Sequence, residues 1–216
     1  MKLNGKTLAR SLVYVAVLFA CVAVGNIACV RAQDSAASSG GTQQRVDPRK
    51  LTTIQTASAD DGKGKNTVQV RYLNLPYGAA TFGYMEVGGD SYYSNRTWPI
   101  LHLTLARKAE YDGKALQPGD YVFYITPKSE QLKTDSMMLT LASFKPDPAR
   151  GTFLVPGDVF TDTPKDAVVI SQKPVTFDKG APVVNALQVW VGKEGNDISI
   201  KLHYGDRTLT EKLTLK

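Results

Sequence analysis

From about residue 51 to the C-terminus, apolar and polar side chains alternate with a period of two, and turn residues interrupt the pattern at short intervals. A chain with that pattern has one face of each strand to bury, so it must pair its strands and stack the resulting sheet on another layer. Val68, Val70 and Tyr72 alternate with Thr67, Gln69 and Arg71, which predicts a strand with one wet face. Tyr121, Phe123 and Ile125 alternate with Val122 and Tyr124, and Met137, Leu139 and Leu141 follow, predicting two more deeply buried strands. No stretch shows a convincing 3.6-residue period.

The C-terminal third has the clearest pattern. Leu187, Val189 and Val191 precede a Glu194-Gly195-Asn196 turn, and Ile198, Ile200, Leu202 and Tyr204 follow it. Gly205-Asp206 then predicts a second hairpin turn of type II′, after which Leu209, Leu213 and Leu215 complete a three-strand meander. Asp112-Gly113 and Pro118-Gly119 predict further turns, the latter of type II, with proline fixing φ and glycine accepting a positive one. The expected fold is therefore all-β: an antiparallel β-sandwich or partly open barrel ending in that meander. Residues 145–165 are rich in proline, glycine and aspartate and read as a long surface loop anchored by Phe153 and Val155.

The first 50 residues follow different rules. Lys2, Lys6 and Arg10 precede an uncharged apolar run from Ser11 to Val24, and Val30-Arg31-Ala32 places small residues where a signal peptidase reads. This predicts a signal peptide over 1–32, with cleavage after Ala32. A membrane-spanning anchor is the weaker reading, because Asn26 and Arg31 interrupt the run, so no transmembrane span is expected after cleavage. A lipid anchor at Cys21 is a further alternative, carried by Leu18-Phe19-Ala20-Cys21. Residues 33–50 hold almost nothing apolar and read as a disordered linker, leaving 51–216 as a single β domain.

This division changes the meaning of the composition. The chain carries 26 basic and 20 acidic residues, a formal charge of +6. Four of the basic residues, Lys2, Lys6, Arg10 and Arg31, fall in the signal, so processing leaves a charge near +2 with no basic stripe to track phosphates. No nucleic-acid partner is expected. Both cysteines, Cys21 and Cys29, also lie in the signal, so the mature domain must be stabilised by its core without disulfides. The expected location is periplasmic or secreted, with a lipid-anchored envelope protein as the alternative.

Few residues suggest chemistry. Gly89-Asp90-Ser91 has the form of a hydrolase nucleophile segment, but Tyr92 follows where a trypsin-like protease has glycine, and both histidines come later in the chain. A lipase-like Asp-x-x-His is missing too, since Ile200 stands three residues before His203. His203 shares a strand face with Ser199 and Lys201 and is expected to be solvated, whereas His102 shares one with Trp98 and Ile100 and is expected to be semi-buried. Neither has a second ligand at metal-binding spacing, and Asp60-Asp61-Gly62 falls short of a calcium loop, so no metal and no cofactor are expected. Between Tyr77 and Trp98, aromatic residues stand beside polar ones, a mixture that suits either core packing or a ligand. The candidate ligand-binding residues are Tyr84, Asp90, Tyr92, Tyr93, Arg96, Trp98 and His102. No catalytic residue is assigned.

The segment Tyr111-Asp112-Gly113-Lys114-Ala115-Leu116-Gln117-Pro118-Gly119-Asp120-Tyr121, followed by Ile125-Thr126-Pro127, resembles the secreted bacterial family called domain of unknown function 2911. In that family a "Gly-Lys-x-Leu-x-Pro-Gly-x-Tyr" turn links strands after an export signal. The likeness covers about Asn95 to Phe144 and, loosely, the C-terminal strands. Arg96-Thr97 matches the family's Trp-Arg-Thr-Gly-Ala-Asn-Glu-like segment only in part, with no acidic residue at the family's position. The resemblance implies export and a β-sandwich-like fold, and no activity. The expected function is a non-enzymatic envelope module binding a small molecule, glycan or protein partner. The alternatives are an envelope hydrolase using Asp90, Ser91 and His102, or a structural subunit of an envelope complex.

Overall fold

A computed structural model describes residues 52–60, 66–88, 95–157 and 161–216. The expected signal peptide and linker lie outside these residues. In chain order the elements are β1 (Ile54–Asp60), β2 (Asn66–Leu73), α1 (Ala79–Val87), β3 (Trp98–Leu105), β4 (Ala109–Tyr111), β5 (Lys114–Leu116), β6 (Gly119–Thr126), β7 (Met138–Ser143), β8 (Val168–Pro174), β9 (Asp178–Glu194) and β10 (Asp197–Leu215). They form two antiparallel sheets, one ordered β1-β2-β3-β6-β7-β8 and the other β5-β4-β10-β9. The fold is an all-β sandwich.

The alternation seen in the sequence fills the space between the sheets. Val68, Val70, Leu101, Leu103, Phe123 and Leu141 from the first sheet meet Val189, Ile198, Ile200, Leu202, Leu213 and Leu215 from the second in one continuous core. A smaller cluster of Val122, Ala142 and Phe144 lies on the other side of the first sheet, with Phe153 packed against it. Phe153 thus anchors the 145–157 loop as expected. The second anchor is Leu154, 2% exposed, whereas Val155 is only half-buried.

Two of the expected turns serve other purposes. Pro118-Gly119 does not close a hairpin; it carries the chain from β5 in the second sheet to β6 in the first, and Tyr121 Oη donates back to the Gln117 carbonyl across this corner. Gly205-Asp206 does not turn the chain either, so the expected three-strand meander is replaced by one long β9–β10 hairpin. The register shifts on either side of Gly205, which has φ +64 and marks a bulge that bends β10 without ending it. The Gly195-Asn196 turn and the Asp112-Gly113 turn stand where expected, the latter with both φ angles positive as a two-residue hairpin requires.

Gly205 also makes room for a neighbour. After β2 the chain crosses to the free edge of β9, where Pro76 bridges Ala186 and the Tyr77 amide donates to the Asn185 carbonyl at 2.9 Å. This places the Tyr77 ring directly over Gly205, where an added Cβ would stand 2.0 Å from a ring carbon. Across the opposite edge, Lys173 Nζ of β8 pairs with Glu211 Oε2 of β10 at 2.6 Å, and Tyr111 Oη of β4 donates to the same oxygen at 2.8 Å. Glu211 is 6% exposed, and its two partners supply the hydrogen bonds that a buried carboxylate needs.

Gly205→Ala must both strain the backbone and displace Tyr77. It should lower unfolding stability by about 3 kcal/mol, measured by urea denaturation. Tyr77→Ala in the same chain should recover part of that loss, and a strictly additive double mutant would contradict the contact.

Candidate functional site

The structure places the expected ligand residues in three separate environments. Asp90, Tyr92 and Tyr93, together with Ser91, lie outside the described residues. Tyr84 is 45% exposed on α1. Trp98 and His102 belong to β3 but face opposite ways, contrary to the expectation that they share a face. The cause is a bulge: Trp98 pairs with Ile125, Pro99 with Tyr124, and Leu101 with Phe123, so Ile100 is the unpaired extra residue and the alternation changes phase there. Trp98 and Ile100 pack against the inter-sheet core, and His102 points outward beneath the 145–157 loop.

His102 is fully buried, not semi-buried. Its Nε2 lies 2.7 Å from Asp120 Oδ1 and its Nδ1 3.0 Å from Thr152 Oγ1. A carboxylate only accepts, so Nε2 carries the proton, and the Thr152 hydroxyl donates to Nδ1 while accepting from the Leu154 amide at 3.2 Å. Burial pushes the imidazole pKa below its usual value; the nearby Arg71 charge adds to this, and the Asp120 carboxylate opposes it. The hydroxyl-imidazole-carboxylate row has the composition of a nucleophile relay, but Thr152 is 3% exposed and the ring is packed by Phe144 and Phe153. Its evident work is to lock the loop to the sheet. Both ring nitrogens are occupied, which leaves His102 poorly placed to serve as a base for the hydrolase expected at Asp90 and Ser91.

A different arrangement surrounds Trp98. At one end of the sandwich, α1 lies across the gap between the sheets and an apolar cavity of about 290 Å³ remains beneath it. Its walls include Leu73, Phe82, Trp98, Ile100, Leu187 and Tyr204. The helix forms without a side-chain cap at Gly78 and stops at Gly88, whose φ of +80 suits glycine. Its hold on the sandwich comes from tertiary contacts. Phe82 meets the Phe177 ring edge-on at 4.8 Å, Tyr204 Oη accepts the Gly78 amide at 3.1 Å and donates to the Pro76 carbonyl at 2.7 Å, and Glu86 pairs with Arg207 at 3.3 Å.

Two segments that lead into cavity-lining Trp98 and Thr161 pair with each other. Arg96 Nη2 pairs with Asp162 Oδ1 at 2.9 Å, and the Thr97 and Thr163 hydroxyls lie 3.0 Å apart. The Arg96 guanidinium stacks 5.3 Å from the Trp98 ring centre. Of the residues singled out in the sequence, Trp98 lines the cavity and Arg96 lies beside it, while Tyr84 and His102 do not contribute to its walls. Leu187, Tyr204 and Thr161 contribute and were not anticipated. The one signal for them was Gly205 interrupting a strand pattern just after Tyr204.

His203, expected to be solvated, is instead half-buried beside the Trp190 ring, and its Nε2 is buried without a hydrogen-bond partner among the described residues.

No family model, curated protein or solved structure matches the chain.

Because the folded-state pKa of His102 is depressed, the native protein binds fewer protons there than the unfolded chain does. The stability this contributes is complete above the unfolded value, about 6.5, and is lost as pH falls from there towards the folded value. Urea midpoints measured from pH 7.5 to pH 5 should therefore fall more steeply for the unaltered protein than for His102→Gln. The variant itself should cost roughly 1–3 kcal/mol at pH 7.5, and parallel pH profiles would contradict the assignment.

Proposed function

We propose that the chain is an exported cell-envelope module that binds a small, largely apolar molecule between its two sheets, without chemistry of its own. The observation that carries this reading is the cavity of about 290 Å³ under α1, close to the lower size of ordinary ligand pockets. Aromatic walls with few polar groups suit a small molecule better than the glycan or protein partner also expected from the sequence. The signal-like segment over 1–32 supports export, as does the resemblance to domain of unknown function 2911 at Tyr111–Tyr121. Anchoring at Cys21 would tether the same module to a membrane surface.

The test uses Trp98 as the reporter. In a Trp190→Phe background Trp98 is the remaining tryptophan, and titration with 1-decanol should change its fluorescence saturably with one site per chain. Ile100→Phe places extra carbon in the cavity. It should weaken decanol binding at least tenfold while keeping or raising the thermal midpoint, as cavity-filling changes do. A response that never saturates, or one unaffected by Ile100→Phe, would contradict the reading.

A further inference from the structure

The loop over residues 145–157 belongs both to the His102 lock and to the wall of the cavity. Leu154 is buried and lines the cavity, and its amide donates to Thr152 Oγ1 at 3.2 Å. That hydroxyl has one proton to give, and gives it to Nδ1 of the buried His102, 3.0 Å away. Beyond Leu154 the loop is fastened again at Gly157, whose amide donates to the Thr52 hydroxyl at 2.8 Å. The Thr152 hydroxyl is therefore the tie that holds Leu154 from the His102 side.

A second proton on His102 reverses the sense of this row. Nε2 keeps its proton and its Asp120 partner, but Nδ1 turns from acceptor to donor. Thr152 Oγ1 can accept the new bond, and its own proton then faces a donor in a site that is 3% exposed. A buried donor left without an acceptor is costly, and turning the hydroxyl towards another acceptor gives up the Leu154 amide. The charged surroundings do not relieve this. The Asp120 carboxylate of β6 favours the imidazolium, but it is shared with Thr104 Oγ1 at 2.8 Å. The Arg71 guanidinium of β2 opposes it, and Arg71 Nε is itself buried without an acceptor among the described residues. Phe144 and Phe153 supply only rings, and the loop's Asp147 and Arg150 pair with each other at 3.1 Å.

Resting on the cavity reading above, we infer that His102 is a proton-operated latch on the ligand cavity: the neutral ring holds Leu154 in the wall through Thr152, and the protonated ring frees Leu154 and releases the bound molecule. The latch stands outside the cavity, so it changes affinity without touching the ligand. By linkage, a bound ligand makes His102 harder to protonate.

The experiment follows 1-decanol binding by Trp98 fluorescence in the Trp190→Phe background. Decanol does not titrate between pH 7.5 and pH 5, so a change in its affinity belongs to the protein. The affinity should fall at least threefold across that range. His102→Gln cannot take up the proton and should flatten the profile. Thr152→Val removes the hydroxyl while keeping the shape, and should bind at pH 7.5 as weakly as the unaltered protein does at pH 5. Amide exchange of the ligand-free protein gives a second readout: protection of the Leu154 amide should drop at least tenfold over the same range, while that of Ile200 in the core holds. Decanol affinity independent of pH, a profile equally steep in His102→Gln, or Leu154 protection that persists at pH 5 would overturn the latch and leave the cavity reading standing. Failure of decanol to bind at any pH would overturn both readings.

Discussion

The missing side chain at Gly205 is the constraint on which the functional end of the molecule depends. A ten-residue strand can pack along a partner sheet without interruption, but β10 runs for 19 residues and must bend to stay on the sandwich. The bend falls where glycine adopts φ +64, and the surface it exposes is covered by the Tyr77 ring. Tyr77 in turn stands edge-on to Tyr204 at 5.2 Å, and Tyr204 fixes both the Pro76 carbonyl and the amide of Gly78, the residue that caps α1. One absent Cβ thus sets the path by which the chain leaves β2, crosses to β9 and starts its helix. Phe82 and Met85 of α1 contribute to the walls of the cavity, together with residues of both sheets.

The polar groups divide the labour differently. Glu211, Lys173 and Tyr111 join the sheets where β8 passes over β10, and removing one partner would leave a buried charge unmet. His102, Asp120 and Thr152 hold the 145–157 loop against the outer face of the first sheet. Leu154 of that loop reaches the cavity. The outer-face lock and the cavity are therefore connected through one loop, although no residue of the lock touches the cavity.

The sandwich was legible in the sequence because its signal is carried by many residues at once. Val68 to Tyr72, Tyr121 to Ile125, Met137 to Leu141 and Leu187 to Leu215 all bury the faces their alternation predicts. What escaped depends on single residues. Ile100 shifts the phase of β3, and nothing in Trp98-Pro99-Ile100-Leu101-His102 distinguishes a bulge from uninterrupted alternation. Gly205-Asp206 has the composition of a hairpin turn, and only tertiary contact with Tyr77 makes it a bulge. The helix α1 was hidden because nine residues with Phe82 and Met85 as inward anchors show too little periodicity to stand out. The cavity could not be read from sequence at all, since its lining residues come from stretches of chain far apart in sequence. Trp98 and Arg96 were singled out for their aromatic and polar mixture; Trp98 lines the cavity and Arg96 stacks on it. His102 was singled out for its chemistry, which the fold spends on anchoring a loop.

The central claim is that the space beneath α1 is a real, apolar and accessible cavity. Crystals of the mature domain pressurised with xenon test it directly, because xenon enters dry cavities of this kind and reports them as strong density. The account predicts a xenon site between Trp98, Ile100 and Leu187, with Phe82 above it. Side chains closed together at that end, with no xenon between them, would contradict it.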